Sequence, residues 1–152
     1  MRFTIYDDSE CEDIAAMNAH FRFVIGTQPQ HLTARKLAER HAFMAEELKE
    51  FKEAADAQDL TKLADALVDL VVFAKGTAVM LGLPWQALWA DVMRANLSKE
   101  RGVGPRGFTA DLIKPSGWEG PRVSAILERH GYDRTYWTEP LRFVDDPVET
   151  KL

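Results

Sequence analysis

Apolar residues recur at three- and four-residue steps along the first hundred positions, which is the spacing of one face of an α-helix. The first run predicts a helix from Ser9 to Gly26. Ser9 and Glu12 have the spacing of a capping box, so Ser9 is predicted as its N-cap. The apolar stripe of this helix consists of Ile14, Met17, Phe21 and Val24.

A second run predicts a helix from Thr33, a good N-cap, to about Ala57. Its apolar seam alternates steps of four and three residues, which suits packing against another helix. The seam consists of Leu37, His41, Met44, Leu48, Phe51 and Ala55. If Leu48 marks the centre of the buried face, the opposite face of this helix points to solvent.

The third predicted helix, over 60–81 with Asp59 as its N-cap, is apolar on most of its circumference. Such a helix is buried, either inside a bundle or at a subunit interface. Gly82 is predicted to end it at the C′ position, and Pro84 to start a fourth helix at N1 that runs over 85–97.

Beyond Ser98, glycines and prolines break up regular structure, so a long loop and a short fifth helix over 122–130 are predicted. The predicted fold is all-α: a four-helix-bundle-like core with a short fifth helix and an irregular C-terminal tail. One domain covers 1–131, and an aromatic extension at 132–152 rests on the bundle or on a neighbouring subunit. The helices are expected to pack across an oligomer interface.

The composition is that of a globular protein: 152 residues, 46% hydrophobic, 28% charged and a net charge of −5. It excludes a disordered or collagen-like chain, and the length allows one complete core. The longest apolar stretch, 70–74, is far short of a membrane span, and the N-terminus lacks the pattern of a secretion signal. With Cys11 as the single cysteine, a reducing cytoplasm is expected. The acidic balance argues against a nucleic-acid partner.

Three carboxylates fall within less than two turns of the second helix, at Glu46, Glu47 and Glu50. Two unit charges ~4 Å apart near a surface repel by about 4 kcal/mol, so such a cluster needs lysines, protons or a cation. Mg²⁺ and Mn²⁺ prefer oxygen ligands of this type. The alternative is a solvated face whose acids pair with Lys49 and Lys52.

Two observations favour a shared cation. Phe43 and Ala54 lie on the same side of the second helix as the acids, which indicates that this side is covered too. Asp65 and Asp69 share a face of the third helix, and Asp69 lies within the apolar run LVDLVVF. A buried carboxylate must be paired, protonated or bound to a metal, so a salt bridge from Asp69 to an arginine is the alternative.

Together with later motifs, these acidic strings resemble the all-α nucleotide pyrophosphohydrolases of the MazG and phosphoribosyl-ATP pyrophosphohydrolase type. The strings are EELKE, DALVD, the turn GLP and ANLSK, followed by IKPSGW and a short helix. The last run is similar to a MazG-like subgroup that includes a dimeric dUTPase-like enzyme. The resemblance spans roughly Ala19 to His130 and depends on the combination, since EExxE alone is weak.

The resemblance implies hydrolysis of a (deoxy)nucleoside triphosphate between its α- and β-phosphates, giving a monophosphate and pyrophosphate. It implies Mg²⁺, replaceable by Mn²⁺, as two or more ions that neutralise the triphosphate and lower the pKa of the attacking water. The metal ligands so implied are Glu46, Glu47, Glu50 and Asp69, and Asp65, on the same face of the third helix as Asp69, is the fifth candidate. Glu47 is the candidate catalytic base.

One position departs from the family pattern. The family has a glutamate three residues before the last acid, and here that position is Ala66, three before Asp69. Either Asp65 replaces the glutamate one position off, or the site holds one ion fewer.

The later motifs imply substrate contacts. Asn96 and Lys99 match ANxxK, Lys114 and Trp118 match KPxGW, and nearby Arg101 offers further positive charge. For 99–106 the alternative is an ordinary basic surface loop. Trp118 either stacks on a base or anchors its loop onto the bundle.

The expected partners are a nucleotide substrate and further copies of the chain, as a dimer or tetramer, without membrane or nucleic acid. Two other functions stay open. The same helices suit a phosphoribosyl-ATP pyrophosphohydrolase of histidine synthesis, and they also suit a non-catalytic helical interaction module whose acids are merely solvated.

Overall fold

The computed structural model describes residues 8–133, and within that range it contains five helices and one small antiparallel sheet. The helices are α1 (Ser9–His20), α2 (Ala34–Asp56), α3 (Leu60–Met80), α4 (Trp85–Leu97) and α5 (Val123–Arg129). The strands are β1 (Glu100–Gly102) and β2 (Asp111–Ile113). The all-α prediction is confirmed. The predicted C-terminal extension lies, from residue 134 onward, outside the described residues.

Two predicted caps are confirmed. The Thr33 side chain accepts a hydrogen bond from the backbone N–H of Lys36 at 3.1 Å, which caps α2. The Asp59 carboxylate accepts one from the backbone N–H of Lys62 at 3.1 Å, which caps α3. These bonds satisfy amide groups that have no partner within the helix, so the starts of both helices are fixed by local sequence.

The prediction for α1 is wrong at both ends. Asp8, one residue before the predicted cap Ser9, accepts a hydrogen bond from the backbone N–H of Cys11 at 2.9 Å. The helix ends at His20 and does not continue to Gly26. Beyond this end the side-chain amide of residue 18 donates to a carbonyl six residues later, so the chain turns back on itself.

The described residues divide into two compact units. The first unit comprises residues 8–30 and 75–132, and the second comprises residues 31–74 together with residue 133. In the first unit a small core forms around α1 and the last turns of α3. Its buried members are Cys11, Ile14, Ala15 and Val79, with Ile25 and Trp85 packed against them. Burial raises the pKa of the Cys11 thiol to about 12, so this cysteine is a core residue and not a nucleophile.

Two glycines of the first unit allow the segment 26–30 to lie against the turn between α3 and α4. Gly82 has a φ of +64°, and a Cβ added there would lie 2.2 Å from the carbonyl oxygen of Gln28. A Cβ on Gly26 would lie 2.3 Å from the backbone nitrogen of Gly82. The close approach is held by a hydrogen bond from Gln30 N–H to the Leu81 carbonyl.

We expect Gly82→Ala to lower the free energy of unfolding by about 2–4 kcal/mol, because it combines a strained backbone with a steric clash. Gly107→Ala is the matched control, since Gly107 also has a positive φ (+77°) but nothing lies within 4 Å of an added Cβ. Backbone strain alone should lower its free energy of unfolding by only about 1 kcal/mol. Urea denaturation measures both values, and equal losses would contradict the importance of the close approach.

In the second unit, α2 packs against α3 with a face other than the predicted seam. The Phe43 and Phe73 rings stack with centroids 5.1 Å apart, and Glu47 and Ala54 are buried. Leu48, the predicted centre of the buried face, lies about 100° round the helix from Glu47 and is 54% exposed. The buried positions of α2 are therefore Glu47 and Ala54, and the choice of Leu48 as the centre of the buried face is wrong, whereas Glu46 and Glu50, opposite Leu48, are exposed as that choice predicted.

The third helix, α3, is apolar but not wholly buried by the described residues. Leu67, Val68 and Val71 remain exposed. None of the helices within 8–133 has, by itself, the length and apolarity of a membrane span. The helices α3 and α4 reach those limits only as a pair, which is bent by 120° at the intervening turn.

The β-hairpin after α4 is a feature that the sequence did not predict. Its strands β1 and β2 pair antiparallel, with Arg101 opposite Leu112. The Arg106 guanidinium pairs with the Asp111 carboxylate across the hairpin loop. Strands of three residues are too short for apolar and polar positions to alternate visibly, so the glycines and prolines around them indicated only a loop.

Candidate functional site

Glu47 is the buried carboxylate of the second unit. Its side chain is on the α3-facing side of α2, and its Oε2 atom is enclosed without a hydrogen-bond partner among the described residues. Burial raises the pKa of Glu47, and the charges of Glu50, Asp69, Glu46 and Asp65 raise it further, in that order. Four other carboxylates, from two helices, therefore lie close enough to Glu47 to act on its ionisation.

Lysine side chains do not balance this acidic cluster. Lys49 pairs with Glu53 at 3.6 Å, and Lys52 pairs with Asp56, so neither lysine pairs with the clustered acids as the solvated-face interpretation required. Within residues 8–133, none of the five clustered carboxylates has an ion-pair partner. Of lysines, protons and a bound cation, the three ways to offset the clustered negative charges, a proton or a cation is left. The arginine partner considered for Asp69 is likewise not found in this part of the chain.

Asp65 and Ala66, the position at which the family has a glutamate, lie on different sides of α3. Ala66 is only 2% exposed, whereas Asp65 is exposed and lies about 100° round α3 from it. Asp65 instead joins Glu50 in the wall of an open cavity at the α2–α3 turn, with a volume of about 490 Å³. The charged residues that line this cavity are Glu50, Glu53, Asp59, Lys62 and Asp65.

The chemistry of the acidic cluster fits a hard divalent cation. An enclosed carboxylate oxygen without a partner, facing further carboxylates, is the kind of donor that Mg²⁺ and Mn²⁺ take. Within residues 8–133, no group of three or more acidic, histidine or cysteine side chains is placed, as the side chains stand, to hold a metal ion. Glu46, Glu50 and Asp65 are exposed, so rotation about their side-chain torsions is the movement that would complete a coordination shell.

In the first unit, four of the five predicted substrate-binding residues come together. The Trp118 indole N–H donates to the carbonyl of Ala95 on α4 at 2.8 Å. The Lys99 and Lys114 ammonium groups lie 5.3 and 4.8 Å from the centroid of the Trp118 ring, and Lys99 also donates to Asn96 Oδ1 at 2.9 Å. Two positive side chains thus share one aromatic ring beside the end of α4.

This geometry separates the roles considered for two residues. Trp118 is held to α4 by its indole N–H, so it anchors its loop, and two lysine ammonium groups lie near its ring. Arg101 is exposed on β1 and is not part of the cluster. We call Asn96, Lys99, Lys114 and Trp118 the basic cluster.

The sequence did not predict a further ionic network, which centres on α4. Asp91 on α4 is 7% exposed and accepts hydrogen bonds from Arg94 Nε at 2.8 Å, from the Arg122 backbone N–H at 2.6 Å and from Arg122 Nη2 at 2.8 Å. The bond from Arg94, followed by those from Arg122, holds the pKa of Asp91 well below its usual range. The three-residue spacing of Asp91 and Arg94 was the available signal. The network fixes the segment after Trp118 against α4.

Comparison with known proteins identifies one family. A family model described as phosphoribosyl-ATP pyrophosphohydrolase matches residues 14–96, which is more than half of the chain. No curated protein matches the chain. The matched range includes α2, α3 and both acidic motifs, and it ends before the KPSGW motif. Members of the family are pyrophosphohydrolases that act on phosphoric anhydride bonds, and they are generally dependent on divalent metals.

Proposed function

This chain belongs to the phosphoribosyl-ATP pyrophosphohydrolase family, within the all-α MazG-like nucleotide pyrophosphohydrolases, and from that premise we propose that it hydrolyses a (deoxy)nucleoside triphosphate between the α- and β-phosphates. Membership of the family supports nucleotide pyrophosphohydrolase activity in general, without naming the substrate. The observation that carries the proposal is the state of Glu47: its Oε2 atom is enclosed without a partner among residues 8–133, and its pKa is raised by burial and by four neighbouring carboxylates. Perturbed carboxylates of this kind are typical of catalytic sites.

We assign the metal to the acidic cluster. Mg²⁺, or Mn²⁺ in its place, would be held by the carboxylates of Glu46, Glu47, Glu50, Asp65 and Asp69. When bound, the metal supplies positive charge that neutralises the triphosphate and lowers the pKa of the attacking water. Because five carboxylates carry up to five negative charges, two or more divalent ions suit the cluster.

We assign Glu47 the role of general base in the reaction. A water oxygen forms a bond to the α-phosphorus as the bond from that phosphorus to the α–β bridging oxygen breaks. The bridging oxygen leaves with the electron pair, as part of pyrophosphate, and Glu47 accepts the proton of the water.

We assign phosphate contacts to the basic cluster of the first unit. Lys99 and Lys114 present two ammonium groups beside one ring, which suits an anionic ligand, and Asn96 offers an amide next to Lys99. Trp118 acts as a positioning residue for both lysines. Arg101 is a further candidate for a phosphate contact, although it lies on β1 and is not part of the basic cluster.

The direct test is pyrophosphate release from a panel of nucleoside and deoxynucleoside triphosphates, with Mg²⁺ or Mn²⁺. We expect turnover of at least one of them, and no turnover of any would contradict the proposal. Phosphoribosyl-ATP belongs in the panel as the second candidate, favoured by the description of the matching family model. Turnover of phosphoribosyl-ATP alone would decide for histidine synthesis.

We also propose that the protein is a homo-oligomer, a dimer or a tetramer. The support is the apolar surface of the second unit: the α2 seam around Leu48 and the α3 residues Leu67, Val68 and Val71 are exposed in the single chain. A seam with heptad-like spacing is typical of helices that pack against other helices, and within the described residues no helix covers Leu48.

We expect Val68→Glu to weaken self-association by roughly 100-fold or more, because a carboxylate would be buried without a partner in an apolar interface. Light scattering coupled to gel filtration measures the change. Leu97→Glu, at an exposed leucine of α4 in the first unit, is the control and should leave the oligomer intact. A wild-type protein that is monomeric at all concentrations would contradict the oligomer.

A further inference from the structure

We infer that Lys62 is an additional substrate-contacting residue whose ammonium binds the β- and γ-phosphates, the part of the nucleotide that leaves as pyrophosphate. The inference rests on the proposed function, and it adds a residue that lies outside the motifs EELKE and DALVD.

The cavity links Lys62 to the acidic cluster. Lys62 lines the same space as Glu50 and Asp65, which the proposed function assigns to the metal, and it is the one positively charged residue in the described lining. It lies one turn before Asp65 on α3, a rise of about 4.5 Å along the helix. The hydrogen bond from its backbone N–H to Asp59 fixes the start of that turn. Lys62 is therefore placed next to the metal ligands and nearer to the α2–α3 turn.

The charge of Lys62 is not balanced in the way that those of the neighbouring lysines are. Lys49 and Lys52 each form an ion pair with the acidic residue four positions later on α2. Lys62 forms no ion pair with any of the residues 8–133. Its ammonium is thus available to an anion that enters the cavity together with divalent cations.

The size and the chemistry of the cavity suit pyrophosphate complexed with a divalent metal. About 490 Å³ is within the usual range for small-ligand sites, and two small residues, Ala54 and Ala57, leave room in its wall. Metal ions at the carboxylates would offset the acids, and a lysine is a suitable point charge for phosphate oxygens. Negative charge grows on the leaving pyrophosphate as the α–β bond breaks, so Lys62 would stabilise the transition state more than the ground state.

The test compares Lys62→Met with Lys62→Arg and with the control Lys49→Met, which removes a lysine of the same region that does not line the cavity. For Lys62→Met we expect kcat/KM to fall by roughly 10- to 100-fold, the usual effect of losing a charge-assisted hydrogen bond. The inhibition constant of pyrophosphate, measured with Mg²⁺, should rise by a similar factor. Lys62→Arg should recover part of both effects, and Lys49→Met should resemble the wild type.

The outcomes separate this inference from the proposed function. If Lys62 only balances the acids, Lys62→Met will change the melting temperature and leave inhibition by pyrophosphate unchanged, which overturns the inference while turnover stands. If the wild type turns over no nucleotide, the proposed function fails. Calorimetry can then still measure the affinity of magnesium pyrophosphate for the wild type and for Lys62→Met. Equal affinities would overturn the inference that Lys62 binds phosphate.

Discussion

Glu47→Gln is expected to reduce pyrophosphate release by roughly a thousandfold, within the range of 10²–10⁴ that a general base contributes. Glutamine has nearly the same shape but cannot accept the proton of the attacking water, and it is a poorer ligand for a divalent cation. Steady-state release of pyrophosphate from the preferred substrate measures the loss. Glu39→Gln is the matched control on α2, since Glu39 pairs with Lys36 at 2.7 Å away from the acidic cluster.

The same substitution is expected to stabilise the metal-free protein at neutral pH. The pKa of Glu47 is raised in the folded state, so its ionised form is disfavoured there relative to the unfolded chain. Without metal, the wild type should therefore lose stability as the pH rises from about 4.3, the ordinary value for glutamate, through the raised pKa. Thermal melts in a chelator should show that Glu47→Gln lacks this loss. Near wild-type turnover by the variant, or a melt below that of wild type at pH 7, would contradict the account.

Asp69→Asn is expected to remove most of the response to metal and to lower turnover by roughly 100-fold or more. A ligand at 100 times its Kd adds about 2.7 kcal/mol of stability, which is the shift we expect for wild type with saturating Mg²⁺. Asp69 acts on Glu47 from the other helix and has no ion-pair partner among residues 8–133, so its charge is available to a shared cation. The variant should show a much smaller shift.

Asp56→Asn is the control for that experiment, because Asp56 is exposed on α2 and pairs with Lys52. It should keep the full metal-dependent shift in melting temperature. If Asp69→Asn keeps both the shift and the turnover, Asp69 is not a ligand. A wild-type melt that does not move with millimolar Mg²⁺ would favour the non-catalytic helical module.

The sequence predicted the helices well wherever local chemistry decides their ends. Thr33 and Asp59 are adjacent to the amides that they cap, and Gly82 supplies the positive φ that ends α3, so each signal lies within a few residues of its effect. At α1, Ser9 was the predicted cap and Asp8 is the observed one, a difference of one residue in register. Such choices depend on where the first turn packs, which the local sequence does not encode.

The sequence did not predict which side of α2 faces α3. Leu48 is the more apolar choice, yet Glu47 and Ala54 are buried, because helix α3 meets α2 on the side that carries Phe43. A helix with two competing apolar faces can satisfy one within the chain and leave the other for a further subunit. The same ambiguity affected Asp65, since only the packing shows that Ala66 is the inward-facing position.

The later motifs were located by sequence, but their roles depended on long-range contacts. The indole N–H of Trp118 bonds to a carbonyl 23 positions away, and this bond indicates an anchor where the sequence left anchor and base platform open. Asp91 and Arg122 are 31 positions apart, so no spacing rule could have joined them. Contacts of this separation are set by the fold as a whole.

The most direct measurement is anomalous scattering from crystals grown with Mn²⁺ and a non-hydrolysable deoxynucleoside triphosphate analogue. The account predicts a manganese peak about 2.1 Å from carboxylate oxygens of Glu47, Glu50 and Asp69, and the analogue bound with its phosphates at that ion. Carboxylates that point apart without a manganese peak between them, or an Asp69 that is paired with an arginine, would contradict the proposed metal-dependent hydrolysis.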